Sequence, residues 1–242
     1  QRQMCIRDRA AQFGFLPLIA GTLWVSLFAI LFALPFGLSV SIYMSEVANP
    51  KVRSWLKPII ELLSGIPSVV YGFFGLIVIV PLIQKLFDLP VGESGLAGSI
   101  VLAIMALPTI ITVTEDAMRN CPRAMREASL ALGASQWQTI YKVVIPYSIS
   151  GITSGVVLGI GRAIGETMAV LMVTGNAAVI PTTILEPLRT IPATIAAELG
   201  EAPAGGPHYQ ALFMLGVVLF FITLIINFSV EYISSKGLKR SK

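Results

Sequence analysis

Arg162 and Glu166, two ionisable residues, stand one helical turn apart in a stretch that is otherwise apolar. They continue a face that begins with Gly151, Gly155 and Gly159, because offsets of four, four, three and four residues stay on one side of a helix. Small residues at that spacing allow another helix to approach closely. Each charge costs at least about 2.5 kcal/mol to insert into an apolar helix, so such groups face a partner or a water-filled path. Two chemistries fit. Either the pair is an internal ion pair that neutralises itself across one turn, or Arg162 contacts a passing anion. A guanidinium keeps its proton and offers a fork of donors suited to tetrahedral oxyanions, and Glu166 would then hold that fork and prevent binding too tight for release.

Few other side chains suggest chemistry. His208 is the single histidine, between Pro207 and Tyr209, with no second histidine or cysteine at ligand spacing; it reads as interfacial, and no metal site is expected. Cys5 and Cys121 are too few for a disulfide framework and fall on opposite sides of the topology below, so no disulfide is expected. Trp24, Trp55 and Trp137 read as packing or interfacial anchors. No G-x-x-x-x-G-K-[ST] loop occurs, so the chain offers no P-loop for a nucleotide of its own. The apolar stretches hold no Ser/His pair, paired Asp or metal-ligating set, so no catalytic residues are assigned and an intramembrane enzyme is disfavoured.

The elements that would position Arg162 and Glu166 follow from composition. Of 242 residues, 55% are apolar and 12% charged, with a mean hydropathy of +0.81, which points to lipid as the solvent. Five segments approach or exceed the roughly 20 residues that span about 30 Å of hydrocarbon. They run over about 15–44, 59–87, 96–118, 147–175 and 209–234, and predict an all-α, polytopic membrane helical bundle. Pro17 and Pro35 are tolerable in the first, because neighbouring helices satisfy freed backbone groups.

Orientation follows from the basic residues. Lys51, Arg53 and Lys57 follow the first span, Arg119, Arg123, Arg126 and Lys142 the third, and Lys236, Lys239, Arg240 and Lys242 the fifth; all fall on one side, taken as cytoplasmic. Their placement between apolar segments reports topology and does not suggest nucleic acid, despite a net charge of +4. The opposite loops offer only Lys85 and Arg189, apart from Arg2, Arg7 and Arg9. Residues 1–13 read as a truncated or non-native start, 14–235 as the transmembrane unit and 236–242 as a basic cytoplasmic tail. The external loop 176–208 carries Pro181, Pro187, Pro192, Pro203 and Pro207, so it is no continuous helix; Thr194 to Leu199 suits one short surface helix, and the loop reads either as a plain proline-punctuated connector or as a cap or docking surface at the external mouth.

The polar insertion at about 119–146 is locally well specified. Pro122 suits the start of one helix, Gly133 a left-handed stop, and Ser135 with Gln138 a capping box for a second helix. Ala124, Ala128, Ala131 and Leu132 give the first helix a small apolar side suited to a groove in another protein.

Glu127, Ala128, Ser129, Gly133, Val143, Ile145 and Pro146 resemble the EAA loop of permeases from binding-protein-dependent ATP-binding-cassette (ABC) importers, whose pattern is E-A-A, three residues, G, nine residues, I-x-L-P. The spacing is kept in full, with departures at Ser129, Val143 and Ile145. The resemblance implies a type I importer permease of the MetI-like fold, six spans with one preceding the odd N-terminus, and a coupling helix in which Glu127, Ala128, Ser129 and Gly133 dock on an ATPase subunit. Gly161 to Val170, G-R-A-I-G-E-T-M-A-V, is similar to the signature of PstC-type phosphate permeases; their PstA-type sisters usually follow G-E-T with alanine and proline. Glu61 to Gly72 and Ala196 to Ala202 are also similar to that family, so the likeness covers nearly everything from Gly14 onward. It implies phosphate transport across the bacterial inner membrane, with Arg162, Glu166 and Thr167 along the substrate pathway. It further implies a PstA-like second permease, two nucleotide-binding subunits that carry ATP and magnesium, a periplasmic phosphate-binding protein, and no cofactor on this chain. A permease for molybdate or sulfate shares the EAA loop, and the decade around Arg162 argues against it. A passive anion channel would not require the elaborated cytoplasmic helices.

Overall fold

The computed structural model describes residues 15–240; side chains are described up to Val230, with Tyr232 beyond it. Cys5, the segment 1–13 and the last two residues of the expected tail lie outside the described residues. Within the described residues the chain is helical, and its one β-type contact is the isolated bridge between Gly175 and Leu188. Five stretches are long and apolar enough to cross a membrane: Phe15–Val47, Ser68–Leu86, Gly95–Arg119, Gln136–Gly165 and Pro207–Val230.

Helix α1 (Phe15–Ile42) leads through a π-helical turn (Tyr43–Val47) into α2 (Pro50–Ser64). Helix α3 (Ser68–Phe74), a second π turn (Gly75–Ile79) and α4 (Val80–Leu86) together make the second crossing, and α5 (Gly95–Arg119) makes the third. Then follow α6 (Arg123–Ala131), α7 (Gln136–Thr139), α8 (Ile145–Gly165), α9 (Met168–Val173), α10 (Ile191–Glu198) and α11 (Pro207–Arg240).

The centre of the bundle is α5, packed between α1 and α8. Small residues explain the closeness. Ala29 and Ala33 of α1 are fully buried, and a Cβ added at Gly37 would lie 2.9 Å from Ile110 Cγ2. Buried hydroxyls answer backbone acceptors rather than competing for water that is absent there: Ser99 donates to Gly95 O at 2.7 Å, and Ser41 to Gly37 O at 2.7 Å. At the other end, Thr22 Oγ1 accepts the Ile191 N–H at 3.0 Å, which anchors the start of α10 to α1.

Two spans differ from their sequence expectation. The second begins at Ser68 rather than near residue 59, because Gly65 and Pro67 interrupt the helix and Pro67, at φ −58° and ψ 141°, starts a new one. What precedes it is α2, amphipathic, with Val52, Trp55, Ile59 and Leu62 exposed along one stripe and Ile60 buried against Met44 and Ile111. The fourth is not one helix over 147–175. Its helical path begins at Gln136, runs through a π turn (Ile140–Val144) past Pro146, which sits where a proline fits the start of α8, and stops at Gly165.

Candidate functional site

The stop at Gly165 decides the geometry around the charged pair. Glu166 is extended at φ −71° and ψ 132°, Thr167 follows at φ −113° and ψ −63°, and α9 then resumes the crossing. Glu166 is therefore not on the helical face of Arg162, as the spacing predicted. Among the described residues no ion pair joins them. The Glu166 carboxylate instead accepts the Ala169 N–H at 3.3 Å, and Thr167 Oγ1 donates to Gly165 O at 3.3 Å. Broken backbone at membrane depth is tolerated only inside protein or along a wet cavity, which sets this break apart from a lipid-facing surface.

Arg162 turns toward α5, its Nη1 3.4 Å from Thr109 Oγ1. Thr109 lies near the middle of the 25-residue α5 and follows Pro108, so the guanidinium sits well away from either end of the bundle. Tyr71 of α3 is within electrostatic reach of Arg162 and donates its own hydroxyl proton to Leu63 O at 2.7 Å.

The glycines of α8 divide into two sets. A Cβ at Gly151 would meet Ala117 Cβ at 2.2 Å, at Gly155 Thr114 Oγ1 at 3.0 Å, and at Gly159 Ile110 Cγ1 at 2.8 Å, so this face lies directly on α5. Added at Gly161 or Gly165, a Cβ would meet nothing within 4 Å. Arg162 thus continues the face that packs on α5, and its neighbour Gly161 faces open space.

At the basic end, α6 protrudes. None of its residues is buried; Glu127 and Ala128 are exposed, and Leu132 just past its end is 89% exposed. Pro122 occupies the cap position rather than the first turn. Gly133 turns the corner at φ +84°, and Ser135 with Gln138 closes a capping box at the start of α7. Ser129 and Thr139 share a hydrogen bond of 2.9 Å that holds the two short helices together.

One cluster was not anticipated. Glu115, 1% exposed near the end of α5, pairs with Arg53, with Lys57 at 3.0 Å and with Arg119 at 3.8 Å, while Lys57 also reaches Asp116 and Arg126 reaches Glu46 at 3.0 Å. Burial alone would lower the Lys57 pKa, but the carboxylates of Asp116 and Glu115 outweigh it and hold the amine above its ordinary 10.5. The available signal was the Glu115–Asp116 pair at the end of an apolar run, opposite the basic start of α2. At the opposite end Glu198 pairs with Arg189 at 2.7 Å and with His208 at 3.2 Å. Among the described residues no group of three or more His, Cys, Asp or Glu is placed to hold a metal ion.

A broken crossing, a half-buried arginine within it and a protruding helical pair agree with what sequence comparison gives. Residues 33–237 match the family described as binding-protein-dependent transport system inner membrane component. The chain belongs to that family. The permease is 41% identical over 229 residues to the probable ABC transporter permease protein YqgH of Bacillus subtilis, covering 95% of this chain and 74% of that protein. It is 38% identical over 240 residues to the phosphate transport system permease protein PstC of Mesorhizobium japonicum, covering 91% and 73%. Its fold is that of the MetNI methionine ABC transporter in an inward-facing conformation, with a TM-score of 0.70 at 18% identity over 94% of this chain and 99% of that one. It is thus a multi-pass inner-membrane permease subunit of the ABC importer family, and not a catalytic chain.

Proposed function

We propose that this permease carries inorganic phosphate into the cell, with Arg162 as the group that contacts the anion in transit. The observation behind this reading is the placement of Arg162. It lies beside a helix break at membrane depth, bordered by the open side of Gly161 and Gly165, and its hydrogen bond goes to neutral Thr109 rather than to a carboxylate. An arginine so placed keeps its charge and fork available to a tetrahedral oxyanion. The PstC of Mesorhizobium japonicum and the likeness of residues 161–170 to phosphate permeases favour phosphate over other oxyanions. Thr167, freed from the helix at the same break, can offer its hydroxyl to the same path, and Glu166 shapes the break through Ala169.

In this reading the open side of α8 meets a PstA-like second permease, so that the path forms between two chains. Two ATPase subunits bind ATP and magnesium and dock on Glu127, Ala128, Ser129 and Gly133, and their closure reaches the crossing through α7 and α8, which are continuous. A periplasmic phosphate-binding protein delivers its cargo to the external cap around α10. The test is uptake by the complete transporter in proteoliposomes loaded with ATP. Radiolabelled phosphate should enter, excess unlabelled phosphate should compete, and molybdate and sulfate should compete poorly; uptake of sulfate or molybdate in preference would overturn the substrate assignment.

A further inference from the structure

The cluster at the cytoplasmic end encloses more cation than its carboxylates neutralise. A cavity of about 590 Å³ is lined by Arg53, Lys57, Arg119, Arg123 and Arg126, with Ser54 at its wall. Against these five cations stand three carboxylates, Glu115, Asp116 and Glu46, and Arg123 has no carboxylate partner among the described residues. The Nε atoms of Arg53 and Arg126 are buried and lack an acceptor. Both guanidiniums already hold ion pairs, Arg53 with Glu115 and Arg126 with Glu46, while Arg119 stands 3.8 Å from the shared Glu115, so the unneutralised charge at the cavity centres on Arg123 and Arg119.

The backbone points the same way. Pro50, Arg53 and Ser54 bring the first turn of α2 to the cavity, and Cys121 and Arg123 bring the start of α6. Two helix N-termini therefore add their partial positive charge to that of the five side chains. Outside the cavity, α2 carries the exposed stripe of Val52, Trp55, Ile59 and Leu62, suited to a membrane interface.

We infer that this cavity binds a phosphate group at the cytoplasmic surface, carried by an anionic phospholipid headgroup or by free inorganic phosphate. The site is distinct from Arg162. Because α2 and α6 both border the cavity, its occupant would brace the exposed coupling segment against the amphipathic helix through Arg53 and Arg126.

The test places a single thiol in the wall by Ser54→Cys, with the native cysteines replaced, in the assembled transporter in phosphatidylcholine nanodiscs. A basic cavity should make the anionic reagent sulfonatoethyl methanethiosulfonate label faster than its trimethylammonium counterpart, by about tenfold or more. If the source is free phosphate, millimolar inorganic phosphate should slow labelling severalfold where sodium chloride of equal ionic strength does not. If it is lipid, replacing phosphatidylcholine by phosphatidylglycerol should slow labelling with no phosphate added. In either case Arg119→Gln with Arg123→Gln should remove the protection, and an Arg162→Lys background should keep it, which separates this site from the transport path. No protection by either source, or a thiol already inaccessible because an ATPase subunit fills the cavity, would overturn the inference.

Discussion

Arg162 reaches across from α8 to Thr109 of α5, Nη1 to Oγ1 at 3.4 Å, while Glu166, four residues on, turns away to cap Ala169 at 3.3 Å. The two charges thus answer to different elements. A hydrogen bond of that length is weak, so Thr109→Val should remove about 1 kcal/mol or less and reduce phosphate uptake by no more than about fivefold. A complete loss of uptake in a properly assembled Thr109→Val complex would show that Thr109, not Arg162, is the principal contact.

The two sets of glycines on α8 should respond oppositely to a methyl group. Gly151→Ala places a Cβ 2.2 Å from that of Ala117, so α5 and α8 must separate, at about 1–3 kcal/mol. Gly161→Ala meets nothing within 4 Å and replaces glycine inside a helix, which favours folding by about 0.5–1 kcal/mol. Thermal unfolding of the isolated permease in detergent should give a lower midpoint for the first and an equal or higher one for the second. Equal midpoints would contradict the packing described.

At Gly133 the constraint is conformational, since φ is +84° and an added Cβ has open space. Valine there should be disfavoured by about 1 kcal/mol or more and should tilt α6 relative to α7. Assembled complexes carrying Gly133→Val should hydrolyse ATP with little phosphate uptake, measured as the ratio of the two rates in one proteoliposome preparation. A wild-type ratio would count against α6 as the coupling element.

Much of this was legible in the sequence, and the exceptions share a cause. The five crossings, the Gly133 corner, the Ser135–Gln138 capping box and a short helix near Thr194 follow from hydropathy and local turn chemistry, which act over a few residues. The helix near Thr194 starts earlier than expected, at Ile191, because Thr190 caps it by accepting the Ala193 N–H at 3.4 Å. The break at Glu166 carried no such mark: the spacing of Gly151, Gly155, Gly159, Arg162 and Glu166 read as one unbroken helical face, and only the fold shows that the helix stops at Gly165. Glu115 was missed for a related reason, because its partners Arg53 and Lys57 come from α2 and converge with it only through the fold.

The loop between α9 and α10 offers a pH test. Glu186 accepts from the Thr182 hydroxyl at 2.6 Å and from the Thr182 N–H at 2.8 Å, and these bonds hold its carboxyl below the ordinary 4.5. A lowered pKa in the folded loop means that the ordering is present above the ordinary value and is lost as pH falls through the folded one. Amide exchange across Thr182 to Glu186 should therefore be protected at neutral pH and accelerate, beyond the intrinsic change, once the pH drops well below 4.5. In Glu186→Gln that extra acid response should vanish; its persistence would show that another group controls the loop.

The most direct test of the anion contact is to exchange the charges, Arg162→Glu with Glu166→Arg, and to measure phosphate uptake alongside assembly with the partner subunits. Arg162 faces Thr109 and the open side of the break, whereas position 166 faces Ala169, so the exchange moves the guanidinium out of the path. The account predicts that the double mutant assembles and hydrolyses ATP but does not take up phosphate. Uptake at the wild-type rate would mean that only the presence of one charge of each sign matters, and would contradict Arg162 as the transport contact.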